Sequence, residues 1–230
     1  MSAAPTRDAP ASATSHRVVI TIDGIDGSGK STFARRLAAA LAAHNVRAAP
    51  ISVDDFRRPV DWAATASESD VYYDSYYDLA AADALLAAFL AGAPTADVPR
   101  FDPITERPLP PRRLALLGAV ALLEGVFPLR APSTASGLVI YLDTSEALAR
   151  HRIISRDLKK GRTRDEIERR IDRRYLPGQR RYHAAYDPRG RADVIIDNEH
   201  PATPRCLRRD LSRLPPLLRT ALDQILPPLP

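Results

Sequence analysis

A glycine-rich segment near the start of the chain has the spacing of a loop that binds polyphosphates. Residues 24–31, Gly-Ile-Asp-Gly-Ser-Gly-Lys-Ser, fit the pattern G-x-x-x-x-G-K-[ST]. Glycines let backbone N–H groups curl around phosphate oxygens at the positive end of a helix. The lysine reaches the outer phosphates, and the last hydroxyl can bind Mg²⁺. The segment predicts a site for ATP and Mg²⁺ whose binding residues are Gly24, Asp26, Gly27, Ser28, Gly29, Lys30, Ser31 and Thr32.

Acidic residues follow two further apolar runs. Asp54 and Asp55 come at the end of the run 46–53, and Glu124 follows the run 119–123. Parallel sheets bind ligands at the carboxyl ends of their strands. A carboxylate at such an end can accept the proton of an attacking hydroxyl group. We therefore expect one member of the pair Asp54 and Asp55 to act as a general base.

Apolar periodicity indicates the elements that must position these residues. Residues 18–23 form a β-branched run before the loop, and Phe33, Leu37 and Leu41 recur after it at helical spacing. The other predicted strands are 46–53, 119–123, 138–142 and 192–196, and the other predicted helices are 79–90, 146–160 and 164–175, the last capped by Thr163. Strands that alternate with helices imply a mostly parallel sheet covered on both faces. The predicted fold class is α/β, with three layers.

The length of 230 residues suits one domain with small appendages. Residues 1–16 are mostly Ala, Pro, Ser and Thr without periodicity, and we predict a disordered tail there. The main domain is expected over residues 17–205. Residues 206–230 are expected to form a Pro-interrupted C-terminal helical region packed on that domain.

Positive charge is concentrated in one part of the chain. Between Arg150 and Arg191, thirteen Arg and two Lys face six acidic residues, an excess of nine positive charges in a chain whose net charge is +5. Such a local excess needs a local explanation. The stretch lacks the interleaved aromatic residues and the recognisable module of a nucleic-acid-binding helix, so no nucleic-acid partner is expected.

Composition and the N-terminal residues bear on the compartment. The chain has a single cysteine, Cys206, which excludes an intramolecular disulfide and favours a reducing setting. No apolar run approaches the roughly 20 residues that span a bilayer. Residues 1–16 also lack the apolar core of a secretory signal. Together these features predict a cytoplasmic protein with no membrane partner.

Two classes of nucleotide-binding protein lack support in the sequence. A GTPase would need an Asn-Lys-x-Asp motif, and neither Asn45 nor Asn198 is followed by Lys. Motor-type ATPases usually end a hydrophobic strand in Asp or Asp-Glu, whereas the run 119–123 ends in Glu124-Gly125. The class that remains is the small-molecule kinases, in which a second substrate lies across the same sheet edge.

A set of short segments resembles the uridine kinase and phosphoribulokinase superfamily of P-loop kinases, which also contains pantothenate and nicotinamide riboside kinases. The resemblance covers about residues 17–200 and rests on the order and spacing of the whole set. The segments are GIDGSGKST at 24–32, SVDDF at 52–56, LLEGV at 122–126, YLDT at 141–144, Arg156-Asp157 followed by Gly161-Arg162, and ADVII at 192–196. The resemblance implies the P-loop NTPase fold, with a helical lid at about residues 150–190.

The resemblance also implies roles for the carboxylates. Asp54, two residues before Phe56, stands at the position of the general base that contacts the acceptor hydroxyl, with Asp55 as the alternative. Glu124 would hold Mg²⁺ directly or through water, together with Ser31.

The basic stretch gains its explanation from the same resemblance. In these kinases arginines of the lid fold over the phosphates and neutralise charge in the transition state. Arg156 and Arg162 match the lid positions, and Arg152 is the next candidate. The catalytic residues implied are Lys30, Asp54, Arg156 and Arg162.

The acceptor site is where the sequence departs from the pattern. Uridine kinases place an aromatic residue and an Asp near the ribose, and Tyr73 and Asp74 match them, although the alignment could slip by one residue. Phe101 and Glu106 stand where uridine kinases have a Tyr and a His that help to read the pyrimidine, so uridine and cytidine are left in doubt. Arg107 could receive an anionic or polar acceptor, or it could pair with Glu106 at the surface.

These observations support an ATP-dependent kinase that phosphorylates a hydroxyl of a small nucleoside-like or sugar-like metabolite. One alternative is a nucleoside monophosphate kinase, for which the acceptor's phosphate would be held by arginines outside the lid: Arg57, Arg58, Arg107 and Arg113. Another is a regulatory P-loop ATPase without an acceptor. The sequence leaves open the identity of the acceptor and the oligomeric state, a homo-oligomer included.

Overall fold

The computed structural model describes residues 16–229. The predicted disordered tail, residues 1–16, lies outside the described residues except for His16. Within the described range, no helix combines the length and the apolar character needed to cross a membrane.

Strands and helices alternate along most of the described chain. The strands are β1 (Val18–Asp23), β2 (Ala48–Ser52), β3 (Thr95–Asp102), β4 (Arg107–Ala115), β5 (Val120–Glu124), β6 (Leu138–Asp143), β7 (Val194–Asp197) and β8 (Arg205–Arg209). The helices are α1 (Lys30–Ala43), α2 (Glu68–Asp74), α3 (Leu79–Leu90), α4 (Glu146–Leu158), α5 (Arg164–Arg170), α6 (Leu176–Tyr186), α7 (Pro188–Arg191) and α8 (Pro216–Ile225). A π-helical turn at Ile171–Tyr175 joins α5 to α6.

Six strands form the central sheet in the order β2-β5-β1-β6-β7-β8. All neighbours are parallel except β7 and β8, which are antiparallel. The five parallel strands were predicted, and each boundary is confirmed to within two residues.

The sheet is buried on both faces, which gives the fold its three layers. On one face Val19 and Leu123 pack with residues of α2 and α3. On the other face Ile20 and Leu122 pack with residues of α1 and α8. Because successive side chains of a strand point to opposite faces, a strand covered on both sides must be apolar throughout. This confirms the predicted three-layer α/β fold with a mostly parallel sheet.

The register of β2, β5 and β1 brings their carboxyl ends to one level. Ser52 of β2 pairs with Glu124 of β5, and Glu124 pairs on its other side with Ile22 of β1. The glycine-rich loop follows β1 directly, and a 3₁₀ turn at Val53–Phe56 follows β2. The loop, Glu124 and the Asp54 turn therefore meet at one edge of the sheet.

The helices of the predicted lid lie where the sequence predicts them, with one difference. Helix α5 begins at Arg164, and the Thr163 hydroxyl accepts a hydrogen bond from the backbone N–H of Glu166 at 3.3 Å, which confirms the predicted cap. The α-helix predicted over 164–175 changes at Ile171 into the π-helical turn. Movement of this region as a lid stays a prediction.

The β-hairpin that β3 and β4 form, between α3 and β5 in the chain, was not predicted. Strands β3 and β4 pair antiparallel as a separate two-stranded sheet. Strand β4 contains three prolines, which weaken the strand signal because proline cannot donate to a ladder and is tolerated only at edges. The hairpin packs against the turn Val53–Phe56 and so carries Phe101 and Glu106 to the site edge.

The predicted helical region from Cys206 is wrong for its first part. Residues Arg205–Arg209 form β8, which pairs with β7 and buries Cys206 opposite Ile196. Pairing satisfies backbone N–H and C=O groups of β7 that the sheet edge would otherwise leave open. Within residues 206–229, only Pro216–Ile225 (α8) is helical. Leu218 and Leu222 of α8 are buried in the core that α1 and the sheet share.

Two substitutions in α8 test whether this helix is docked on the domain. Leu222 is fully buried, whereas Leu217 on the same helix is 86% exposed. Leu222→Ala should lower the free energy of unfolding by about 2–5 kcal/mol through lost burial and the cavity left behind. Leu217→Ala, the matched control, should change it by less than about 0.5 kcal/mol. Urea denaturation measures both, and equal effects would contradict the docked position of α8.

Candidate active site

The glycine-rich loop has a backbone that only glycine adopts easily. Gly24, Gly27 and Gly29 have φ values of 145°, 81° and 97°. A Cβ on Gly27 would lie 2.5 Å from the backbone oxygen of Ala149, so the loop passes too close to α4 for a side chain. The loop runs directly into the first turn of α1, whose N–H groups have no side-chain cap. Such a cradle at a helix N-terminus fits a polyphosphate.

Lys30 is buried within the loop. Its ammonium group donates hydrogen bonds to the carbonyl oxygens of Gly24 and Ile25, at 2.8 and 2.9 Å. The loop is braced from outside by Asn198, which follows β7 and whose side-chain amide donates to the Ser28 carbonyl at 2.6 Å. This role of Asn198 was not predicted from the sequence, although its position at a strand end was a signal for it.

A buried carboxyl group lies directly before the loop and was also missed. Asp23 accepts hydrogen bonds from the Gly24 N–H and from the Tyr182 hydroxyl, both at 2.6 Å. Burial raises the pKa of Asp23 to about 6, although these two hydrogen bonds and the charge of Lys30 oppose the shift. Tyr182 belongs to α6, so this contact joins the base of the loop to a helix within the predicted lid.

Oxygen donors suited to Mg²⁺ meet where β2 and β5 end. The Glu124 carboxylate accepts hydrogen bonds from the hydroxyls of Ser31, at 2.9 Å, and Ser52, at 2.6 Å. Burial, followed by the nearby charge of Asp54, raises the pKa of Glu124. Within residues 16–229, no group of three or more His, Cys, Asp or Glu side chains could hold a metal by itself. Mg²⁺ usually binds one or two carboxylates together with substrate phosphates, and Glu124 with the hydroxyl of Ser31 could supply the protein's share of such a site.

The two acidic residues after β2 have different partners. Asp54 is about half exposed, at 49%, and its carboxylate lies 2.6 Å from the guanidinium of Arg57. Asp55 lies 3.3 Å from Arg112 of β4. Both residues line a cavity of about 310 Å³, but only Asp54 also lines the cavity around the loop. Of the pair, only Asp54 lies where the two cavities meet.

Two cavities meet at the sheet edge. One, of about 370 Å³, surrounds the glycine-rich loop, Ser31 and Glu124. The other, of about 310 Å³, which we call the acceptor cavity, lies beside it under the hairpin. Three residues line both: Asp26, Asp54 and Arg156. The Asp26 carboxylate accepts a hydrogen bond from the Tyr72 hydroxyl at 2.5 Å. The backbone of Asp26 is part of the loop, and its side chain therefore faces the junction of the two cavities.

The predicted lid arginines lie at the acceptor cavity. Arg156 and Arg162 both contact the buried carboxylate of Asp157, at 2.7 and 3.3 Å. Arg162 also donates to the carbonyl of Pro103 on the hairpin at 2.8 Å. Arg156, Lys160 and Arg162 oppose burial and hold the pKa of Asp157 below its usual value. The hairpin and the basic helices therefore close over one cavity together.

The aromatic pair predicted for the acceptor, Tyr73 and Asp74, lies outside the acceptor cavity. Asp74 forms a surface ion pair with Arg181 at 2.7 Å, and Tyr73 packs on Phe127 between Arg130 and Arg181. Neither residue lines the acceptor cavity. Its aromatic wall is formed instead by the buried side chains of Tyr72, Tyr76 and Tyr77, with Phe101 and Tyr175.

Arg107 does not reach the acceptor cavity either. It is exposed at the start of β4, beyond a turn in which Glu106 has a positive φ of 53°. The alternative pair of Arg107 with Glu106 is also absent from the described residues, because Glu106 binds Arg170, at 2.8 Å, and approaches Arg162, at 3.6 Å. Glu106, Arg162 and Arg170 line the acceptor cavity, and Arg107 does not.

A third cavity, of about 380 Å³, lies on the other side of the loop. Gly29, Thr32 and Arg152 line both this cavity and the one around the loop, so the two cavities adjoin. Its walls are mostly apolar and come from α1, from Pro201 and Pro204, and from residues 225–227. The Arg152 guanidinium is fixed at its rim by the carbonyls of Asn198 and Glu199, at 2.9 and 3.0 Å.

Comparisons with known proteins bear on the family and the fold. The model of the Phosphoribulokinase / Uridine kinase family matches residues 19–199. No curated protein matches the chain. A possible uridine kinase from Bacillus stearothermophilus is similar, with a TM-score of 0.61, 24% identity, and coverage of 80% of this chain and 91% of that one. D-glycerate 3-kinase from Cryptococcus neoformans has a TM-score of 0.50 and 15% identity, with coverage of 70% and 77%. At these identities the solved structures show a shared fold.

The raised pKa of Asp23 predicts a measurable pH dependence. Its folded pKa of about 6 exceeds the ordinary value of 3.8, so the folded protein keeps a proton that the unfolded chain releases between these values. Its stabilising contribution is complete below about pH 4 and is lost as the pH rises through 6, by about 3 kcal/mol. The free energy of unfolding of Asp23→Asn, minus that of the wild type, should therefore rise by about this amount between pH 4 and pH 7. Urea denaturation at several pH values, with exposed Asp97→Asn as the control, checks this, and a constant difference would refute it.

Proposed function

Because the chain belongs to the phosphoribulokinase/uridine kinase family, we propose that it transfers the γ-phosphate of ATP to a hydroxyl group of a small metabolite. The observation that carries the proposal is the junction of two cavities. Asp26, Asp54 and Arg156 line both the cavity of the phosphate-binding loop and the acceptor cavity beside it. A phosphoryl group passing from one cavity to the other would pass these residues.

The nucleotide would lie along the loop. Its phosphates would lie against the N–H groups at the start of α1, and its base would lie in the adjoining apolar cavity walled by α1 and residues 225–227. Lys30 would exchange its loop carbonyls for phosphate oxygens. Ser31 and Glu124 would hold Mg²⁺, which supplies neutralising charge to the phosphates.

Asp54 would act as the general base. The acceptor hydroxyl forms a bond to the γ-phosphorus while the bond from that phosphorus to the β-phosphate oxygen breaks, and the hydroxyl proton passes to the Asp54 carboxylate. Arg57, 2.6 Å away, fixes the orientation of this carboxylate. Arg156, at the junction, would stabilise the transferring group, and Arg162 would close the hairpin over the acceptor.

The alternatives have weaker support. Of the four arginines considered for a nucleoside monophosphate, only Arg57 lines the acceptor cavity; Arg58 pairs with Asp78, and Arg113 with Asp97. A regulatory ATPase has no use for a second cavity joined to the first. Glu106, at the position of the His in uridine kinases, is bound by lid arginines, which favours an acceptor other than a pyrimidine nucleoside.

Release of ADP from Mg-ATP tests the proposal. The protein alone should release little ADP, and one member of an acceptor panel should increase release by at least about tenfold, because the reaction needs an acceptor hydroxyl at Asp54. The panel contains uridine, cytidine, nicotinamide riboside, pantothenate, ribulose 5-phosphate and nucleoside monophosphates, and mass spectrometry identifies the phosphorylated product. Equal ADP release with and without every acceptor, and no phosphorylated product from a metabolite extract, would falsify the proposal.

Asp54→Asn tests the base separately from nucleotide binding. The amide cannot accept the proton, so kcat should fall at least about a hundredfold while the Kd for ATP stays within about threefold. Asp97→Asn, which removes an exposed carboxylate on β3, should leave kcat unchanged. Steady-state kinetics and equilibrium ATP binding distinguish the two effects. Normal turnover by Asp54→Asn would show that another group takes the proton.

A further inference from the structure

The two ends of the acceptor cavity differ in chemistry. The inner end, at the junction with the loop, is lined by Asp26, Asp54 and Arg156. The outer end continues into a shallow cleft between the hairpin tip and α5, and the residues that line both the cavity and the cleft are Glu106, Lys160, Arg162 and Arg170. An acceptor whose hydroxyl lies at Asp54 would therefore extend its other end toward these four residues.

Positive charge exceeds negative charge at the outer end. Glu106 is shared by Arg170, at 2.8 Å, and Arg162, at 3.6 Å. Glu166, on the rim of the cleft, also pairs with Arg170, at 2.7 Å. The two arginines are only 12% and 14% exposed, so their guanidinium groups are largely withdrawn from water.

Asp157 is shared even more widely. This buried carboxylate contacts Arg156 at 2.7 Å, Arg162 at 3.3 Å and Lys160 at 3.8 Å. Three carboxylates, those of Glu106, Asp157 and Glu166, thus serve the four cations Arg156, Lys160, Arg162 and Arg170. Asp26 at the inner end also acts electrostatically on Arg156, so Lys160 is left with the most distant partner of the four cations.

Lys160 is the cation with the weakest partner. Among the described residues, no carboxylate oxygen comes nearer to its ammonium group than the 3.8 Å of Asp157. Burial and the charges of Arg156, Arg162 and Arg57 lower the pKa of Lys160, although Asp157 opposes this. A negatively charged ligand group at this position would relieve the repulsion among these cations.

Building on the proposed function, we infer that the acceptor is an anionic metabolite whose carboxylate or phosphate ester binds Lys160 and the neighbouring Arg162 and Arg170. Its hydroxyl then lies at Asp54, at the opposite end of the cavity. The cavity volume of about 310 Å³ admits a compact molecule that carries both groups. Separate recognition of the two ends would fix which hydroxyl faces the base.

Matched pairs of acceptors test the charge requirement. Each pair keeps the hydroxyl and changes only the anionic group: D-glycerate against glycerol, pantothenate against panthenol, and ribulose 5-phosphate against ribulose. The first two pairs test a carboxylate and the third tests a phosphate ester. We expect at least one acidic member to have a kcat/KM at least about tenfold above that of its neutral partner. Calorimetric binding of the same compounds in the presence of Mg-ADP should show the same preference.

Lys160→Gln tests the position of the anionic group. It should raise the KM of the preferred acidic acceptor about tenfold and leave the KM for ATP within about twofold, because the lost contact is to the acceptor only. Lys159→Gln is the matched control. This substitution removes the same charge at the neighbouring position, which is exposed and lines neither cavity. Neutral acceptors should be insensitive to either substitution.

The outcomes separate this inference from the proposed function. Turnover of neutral acceptors as efficiently as their acidic partners would overturn the inference and leave the kinase assignment intact. The inference also fails if neither turnover nor binding prefers any acidic member, or if Lys160→Gln retains the full preference. ADP release that no acceptor changes would instead contradict the proposed function itself.

Discussion

Glu124 ties three parts of the chain together at the sheet edge. Its carboxylate accepts hydrogen bonds from Ser31, at the start of α1, and from Ser52, at the end of β2, while its backbone continues β5. These contacts require that β2, β5 and β1 end at one level. A slip of β5 by one residue would turn Glu124 to the opposite face of the sheet and separate the two serines. The loop, the metal donors and the Asp54 turn are therefore held in place by the register of three strands.

The contiguous features could be predicted from the sequence. The phosphate-binding loop lies within eight residues, and its geometry follows from glycine and from the start of a helix. The parallel strands were recognisable because burial on both faces makes each of them apolar along its length. The positions of Asp54 and Glu124 followed from the ends of those strands, and the cap at Thr163 followed from its hydroxyl before a helical run.

The features that depend on local geometry or distant contacts were harder to predict. Tyr72 and Tyr73 are neighbours in the chain, but they project from α2 in different directions, and only Tyr72 faces the acceptor cavity. Arg107 follows Glu106, yet the left-handed turn at Glu106 sends the two side chains to different surroundings. The bracing of the loop by Asn198 and Tyr182 joins residues more than 150 positions apart, and no local pattern encodes such a contact.

The wall formed by residues 225–227 has a consequence for the local stability of α8. The cavity where we place the nucleotide base has Gly29 on one side and Pro227 on the other, and Arg209 holds that last segment through the carbonyls of Leu226 and Pro227. A chain in which α8 has detached from the domain has the loop but lacks this wall. Binding at the cavity and docking of the last helix are then linked, so each strengthens the other by the same factor. A bound nucleotide would thus stabilise α8 against local unfolding.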